Sequence, residues 1–171
     1  HAGGMSNVWW QLLLAFGYGL LGSLIPVING EAFVVAAIAT HLIGPVEAGI
    51  CLGLGQGVGK MILFQVVRQA KRLPVLHRKL LSRPEPQPGT WRYRWSRVMR
   101  WGIALVEHPR WGPLGVFLSG SVSVPPNYPT TILAATTKAN FAVFSIFMTL
   151  GFITRYVVVG LAVTGVFQRF S

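Results

Sequence analysis

Two long apolar stretches frame this chain, residues 8–67 and 111–167, and each is interrupted near its middle by residues that break helices. In the first, the arm Val8–Leu24 runs into "PVINGEAFVV", where Pro26, Asn29 and Gly30 come just before a lone carboxylate, Glu31. The apolar run over 32–43 is then only about half of the roughly 20 residues that a helix needs to cross a bilayer core. Gly44-Pro45 is expected to end that arm, and 46–67 is long enough for a full span. The second stretch repeats the order: an arm over 111–124, a break at Pro125-Pro126-Asn127-Tyr128-Pro129, a short arm over 130–139 and a full span over 141–167. The pattern predicts an all-α polytopic membrane protein with two repeats, each a re-entrant helical hairpin followed by a transmembrane helix.

A shift of 96 residues superposes the two halves. Ala39 and Thr40 fall on Ala135 and Thr136, Ile50 on Ile146, and Leu54-Gly55 on Leu150-Gly151; Glu31 falls on Asn127. If each hairpin enters and leaves on one side, each repeat crosses once, so the two hairpins enter from opposite sides. Inverted repeats of this kind recur in transporters, where the site lies near the midplane at broken helices.

Charge orients the chain. Eleven of its 15 Lys/Arg lie in residues 68–110, and the whole chain has only four acidic residues. Segments this rich in Lys/Arg beside spans stay cytoplasmic, so the basic segment is expected on the cytoplasmic side; the expected location of the chain is a bacterial cell (inner) membrane. The expected organisation is 1–4 as an expression remnant with Met5 as the native start, 5–67 as the first hairpin and span, 68–110 as the basic loop, and 111–171 as the second hairpin and span. Pro84, Pro86 and Pro88 break regular structure in the loop. After them, "TWRYRWSRVMRWGIALVEH" fits an amphipathic helix with Trp91, Trp95, Val98, Gly102 and Leu105 on one face and Arg92, Arg97 and Arg100 on the other. Beside membrane spans this predicts a helix on the anionic inner-leaflet surface rather than a nucleic-acid contact.

Few polar groups remain inside the apolar zones. Glu31 is at the first tip, Lys60 and Gln56 are one turn apart in "GLGQGVGK", Arg155 is in "GFITRY", and Asn127 and Tyr128 are at the second tip. Ionisable groups at membrane depth pair with one another or line a wet cavity. One expectation is a central polar site in which Glu31 couples protons or gates while Lys60, Arg155 and Gln56 bind an anionic head group. The alternative is a structural ion pair of Glu31 with Lys60 or Arg155. Gly55 and Gly59, four apart, suit close helix packing. "SGSVS" has no histidine at a spacing suited to a serine nucleophile. The chain has no Asp and no Cys/His spacing for a metal, so neither an enzyme nor a cofactor is expected.

"IPVINGEAFVVAAIA" followed by "GQGVGK", and "SGSVSVPPNYPTTILAA" followed by "GFITRY", resemble the DedA family, the SNARE-associated or VTT-domain membrane proteins. The resemblance covers most of the chain outside the middle loop. It implies paired re-entrant hairpins and movement of lipids such as polyprenyl phosphates or phospholipids, coupled in bacteria to an ion gradient. It also implies a functional acidic residue in the first hairpin, which Glu31 matches. The family's second hairpin carries an arginine that "SGSVSVPPNYP" lacks, and that role is left to Arg155 or Lys138, or is absent. The expected function is a flippase- or scramblase-like lipid transporter with membrane lipids as partners. Transport of a small solute or anion through the same site and a non-transporting membrane scaffold are the alternatives. A homodimer is compatible with this plan and not specified by it.

Overall fold

The computed structural model describes residues 3–25, 30–39, 44–70, 91–123 and 127–170. Within them the chain is all-helical, with no strand. In order come α1 (Gly3–Leu24), α2 (Gly30–Ala39), α3 (Pro45–Ala70), α4 (Trp91–Glu107), α5 (Gly112–Val122), α6 (Asn127–Thr136) and α7 (Phe141–Phe170). Two of them, α3 and α7, are long and apolar enough to cross a membrane.

Several boundaries differ from the sequence expectation, and the prolines explain why. A proline is tolerated in a helix's first turn, where the missing N–H has no carbonyl to bond anyway. Pro45 therefore opens α3 instead of only closing the arm before it, and the Gly44 carbonyl accepts the Ala48 N–H at 3.0 Å. Pro129 sits in the first turn of α6, so Asn127, Tyr128 and Pro129 are helical and not part of the break. Gly30 and Glu31 likewise open α2. α1 starts at Gly3, ahead of the expected arm. At α7 the start follows capping chemistry: Asn140 Oδ1 accepts the Ala142 N–H at 2.9 Å, and the Asn140 carbonyl accepts Phe144 N–H at 2.9 Å. At the end of α5, Ser123 takes a left-handed conformation with φ 59°, and its N–H returns to the Ser119 carbonyl.

Glycines set the packing. Added Cβ atoms at Gly49, Gly53 and Gly57 would meet Val157, Ile153 and Thr149 of α7 in turn. The numbers rise on α3 as they fall on α7, so the two long helices are antiparallel and touch along a four-residue ridge. On another face of α3, Gly55 and Gly59 meet Phe16, Leu20 and Ser23 of α1, which runs parallel to it. α5 runs beside α7 in the same way, with Gly151 against Phe117, Gly120 and Ser121. The short arms cross over: α6 packs on α3, and α2 on α7. The alternating glycines of "GLGQGVGK" thus serve two neighbours, where the sequence suggested one face through Gly55 and Gly59.

An aromatic-rich core lies between the long helices. Phe64 packs on Phe144 and Phe141 with ring centres 4.7 and 5.4 Å apart, and Leu52, Met148 and Phe152 are buried with them. The outer faces are apolar too: Val46, Ile50, Leu54, Ile62 and Val66 form an exposed stripe on α3, and Ile146, Leu150, Val158 and Leu161 form one on α7. The buried set, by contrast, includes Ser23, Gln56, Lys60, Ser119, Thr130, Thr131 and Ser145. Apolar stripes exposed along both long helices suit an apolar surrounding or a packed partner rather than a bare water-facing surface.

Candidate functional site

Each long helix carries one cation near its middle, Lys60 on α3 and Arg155 on α7, and each reaches the end of the shorter helix that runs beside it. On α3, Lys60 is only 1% exposed. Its Nζ donates to the Ser23 carbonyl at 3.1 Å and stands 3.3 Å from the centre of the Tyr128 ring. Tyr128 Oη donates to the same carbonyl at 2.7 Å. Ser23 lies in the last turn of α1, where carbonyls lack helical partners and the helix dipole is negative, so a cation is favoured there. The ring face adds a cation–π contact. This junction joins α1, α3 and α6.

On α7, the half-buried Arg155 donates through Nη1 to Ser123 Oγ, at the end of α5. Behind that tip, Ser119 Oγ lies 3.1 Å from Thr130 Oγ1 and 3.2 Å from Asn127 Oδ1, which tie α5 to α6.

The two centres lie at different levels. Lys60 is fifteen residues after Pro45 and Arg155 fourteen after Phe141, so both first arms stop about 21–22 Å along their long helices. In the antiparallel register fixed by Gly53 and Ile153, Lys60 and Arg155 stand nine residues apart, about 13 Å along the axis. The ends of α1 and α5 therefore overlap side by side rather than meeting end to end.

The other expected site residues divide into three groups. Gln56 is buried on α3 one turn before Lys60. Glu31 and Gly30 lie in the first turn of α2, with the Glu31 side chain outside the described residues; Pro26, Asn29, Pro125 and Pro126 lie outside them altogether. On α4, Arg97 and Arg100 are exposed, and the Arg92 side chain is outside the described residues.

Several polar groups escaped the sequence reasoning. The buried hydroxyls of Ser23, Ser145 and Thr149 have no hydrogen-bond partner. Ser23 packs against Gly59 on the α1-facing side of α3, and Thr149 against Gly57 on the α7-facing side. A serine two or three residues before a proline, as in "SLIP" and "SVPP", was the available signal for Ser23 and Ser123. Arg68 also has a definite place. Its Nη2 donates to the Ala139 and Thr137 carbonyls at 2.7 and 3.4 Å, its Nε to Ala135 at 3.5 Å, and its guanidinium lies 4.5 Å over the Phe64 ring. Among the described residues no group of His, Cys, Asp or Glu is arranged to hold a metal. Set against known proteins, the chain matches no family model, no curated protein and no solved structure.

Proposed function

We propose that this chain is a polytopic inner-membrane protein of two inverted repeats, each a re-entrant hairpin and a spanning helix, that moves a lipid with an anionic head group between leaflets. The observation that carries the proposal is the pair of buried or half-buried cations, Lys60 and Arg155, each at the end of a hairpin arm part-way along a membrane-length helix. Cations at such depth are expensive and mark substrate pathways.

The repeat rests on an equivalent contact in both halves. Gly55 packs over the Phe16 carbonyl and the Leu20 amide, and Gly151 over the Phe117 carbonyl and the Ser121 amide. Gly55 and Gly151 are the residues related by the 96-residue shift, and α3 and α7 run in opposite directions, as inversion requires. Close glycine contacts suit helices that associate without a hydrophobic driving force. The resemblance to the DedA family implies the same architecture and activity.

In this scheme Arg155 receives the phosphate through a charge-assisted, two-pronged hydrogen bond. Lys60 is held by Ser23 and Tyr128, so it meets a head group only when the two hairpins separate. Glu31, at the start of α2, gates or carries a proton. Arg97 and Arg100, with Arg92, lie against the anionic inner leaflet.

The test is reconstitution into liposomes with a fluorescent polyprenyl or phospholipid phosphate in one leaflet. Wild type is expected to accelerate transbilayer movement, and Arg155→Ala and Glu31→Gln to slow it. Wild-type liposomes indistinguishable from protein-free ones sink the lipid function. An active wild type matched by both variants moves the site elsewhere.

A further inference from the structure

Four residues connect α4 to α5, His108, Pro109, Arg110 and Trp111, and the two helices meet closely across them. Val106 is only 8% exposed. A Cβ at Gly112 would stand 2.7 Å from the Val106 carbonyl oxygen, and one at Gly115 would stand 3.1 Å from Val106 Cγ2 and 3.2 Å from Leu105 Cγ. The last turn of α4 is therefore pressed onto the first turn of α5, and the connecting turn has to hold it there.

Prolines on both sides of the turn limit its donors. Pro109 and Pro113 have no N–H, so the amides between them are those of Arg110, Trp111 and Gly112. All three go to His108. Its carbonyl accepts the Gly112 N–H at 2.7 Å, and its ring Nδ1 accepts the Arg110 N–H at 3.2 Å and the Trp111 N–H at 3.4 Å. Its own N–H returns to the Leu105 carbonyl at 3.3 Å. An asparagine side chain commonly accepts amides just ahead of it in this way, and it does not titrate. A histidine does so only as the neutral ring, in which one nitrogen is an acceptor.

Protonation gives Nδ1 a hydrogen of its own. It then opposes two N–H donors at the positive end of the α5 dipole, so the imidazolium has to turn away and both amides lose their acceptor. Histidine is the side chain that ordinarily makes this change between about pH 5 and 8. The charged groups around it are Glu107 at the end of α4, Arg110 within the turn, and Lys138 across the cleft of about 540 Å³ that His108 helps to line; α5 and α7 bring only uncharged residues to that cleft. We propose that His108 is an acid-released clasp between α4 and α5. The neutral ring closes the turn and seats Val106 on Gly112 and Gly115; the imidazolium opens the turn and frees the last turn of α4. The clasp thus regulates how firmly the basic helix is held to the bundle. Its place on the cytoplasmic side rests on the membrane placement proposed above, whereas the release itself requires neither a membrane nor lipid movement.

The experiment is amide hydrogen exchange of the full chain in detergent at about pH 7.5 and about pH 5.5, on either side of the imidazole range. Each rate is divided by the intrinsic exchange rate at that pH. In wild type, protection at residues 110–112 is expected to fall by about threefold to tenfold on acidification, the loss of modest hydrogen bonds in a locally opening segment. The α1–α3 contact around Gly55 should keep its protection. His108→Asn retains a side-chain acceptor that does not titrate, so its turn should stay protected at both pH values. His108→Ala should be unprotected at both. The proposal is overturned if wild type shows no change, if His108→Asn loses protection as wild type does, or if His108→Ala is as protected as wild type at the higher pH. It is also overturned if exchange rises equally around Gly55, because acid would then act on the whole bundle. None of these readouts involves lipid, so their outcome is independent of whether the chain moves one.

Discussion

The Lys60 ammonium faces the Tyr128 ring at 3.3 Å while both side chains donate to one carbonyl, that of Ser23. Tyr128 belongs to α6 and Ser23 to α1, so this three-way contact latches α6 to α1 across α3. Tyr128→Phe keeps the ring over Lys60 and removes one hydrogen bond, which should cost about 1 kcal/mol. Tyr128→Ala removes the ring as well and should cost about 3–5 kcal/mol, the range for truncating a packed aromatic. Unfolding curves in detergent give both values. Equal stability of the two variants would show that the ring contributes nothing, and the latch would be the hydrogen bond alone.

Lys60 itself separates stability from function. Replacing a buried charged group by a packed apolar one of similar size is often neutral or stabilising, by about 1–4 kcal/mol. Lys60→Met leaves the Ser23 carbonyl with its Tyr128 donor, so the variant is expected to unfold no earlier than wild type. If Lys60 serves lipid passage, the same variant should lose transbilayer movement in liposomes. A variant that is both markedly less stable and fully active would make Lys60 a structural residue only.

The glycines make a sharper structural test. At Gly55 and Gly151 a methyl group would strike the backbone of α1 and α5, and at Gly53 that of α7. Overpacking of this kind costs about 1–3 kcal/mol. Gly17 is the control: a Cβ there meets nothing within 4 Å, so Gly17→Ala should stabilise by up to about 1 kcal/mol through helix propensity. Thermal unfolding of the four alanine variants checks the order. A matched loss at Gly55 and Gly151 supports the equivalence of the two halves; a large loss at one and none at the other breaks it.

Much of this architecture was legible in the residues. The spacing of breaks and apolar runs gave the helix order, and the 96-residue shift paired Gly55 with Gly151, which make the same kind of contact. Helix ends were less legible, because a proline that stops one helix can equally open the next, as Pro45 and Pro129 do. The candidate site was half legible. Lys60 and Arg155 stand out as isolated charges in apolar sequence, but their partners are a backbone carbonyl, an aromatic face and a serine hydroxyl, none of which carries a charge signal. Nor does sequence give the axial offset of about 13 Å between the two cations, which follows from the antiparallel register of α3 and α7.

The sequence pattern makes Arg68 the first residue of the basic loop, yet it belongs to α3 and binds three carbonyls around the end of α6. Those carbonyls lack helical partners, and an arginine fork supplies several donors from one rigid plane. Arg68→Ala removes the donors and uncovers Phe64, and the expected loss is about 2–3 kcal/mol, typical for hydrogen bonds to a charged group. Lys keeps the charge but not the fork, so Arg68→Lys should recover only part of it. Amide hydrogen exchange gives the local readout: protection in the turn at 137–142 should fall in the alanine variant, while the α1–α3 contact around Gly55 stays protected. Exchange that rises evenly over the whole bundle would instead mean that Arg68 acts through global stability, and full recovery by lysine would mean that charge alone holds the turn.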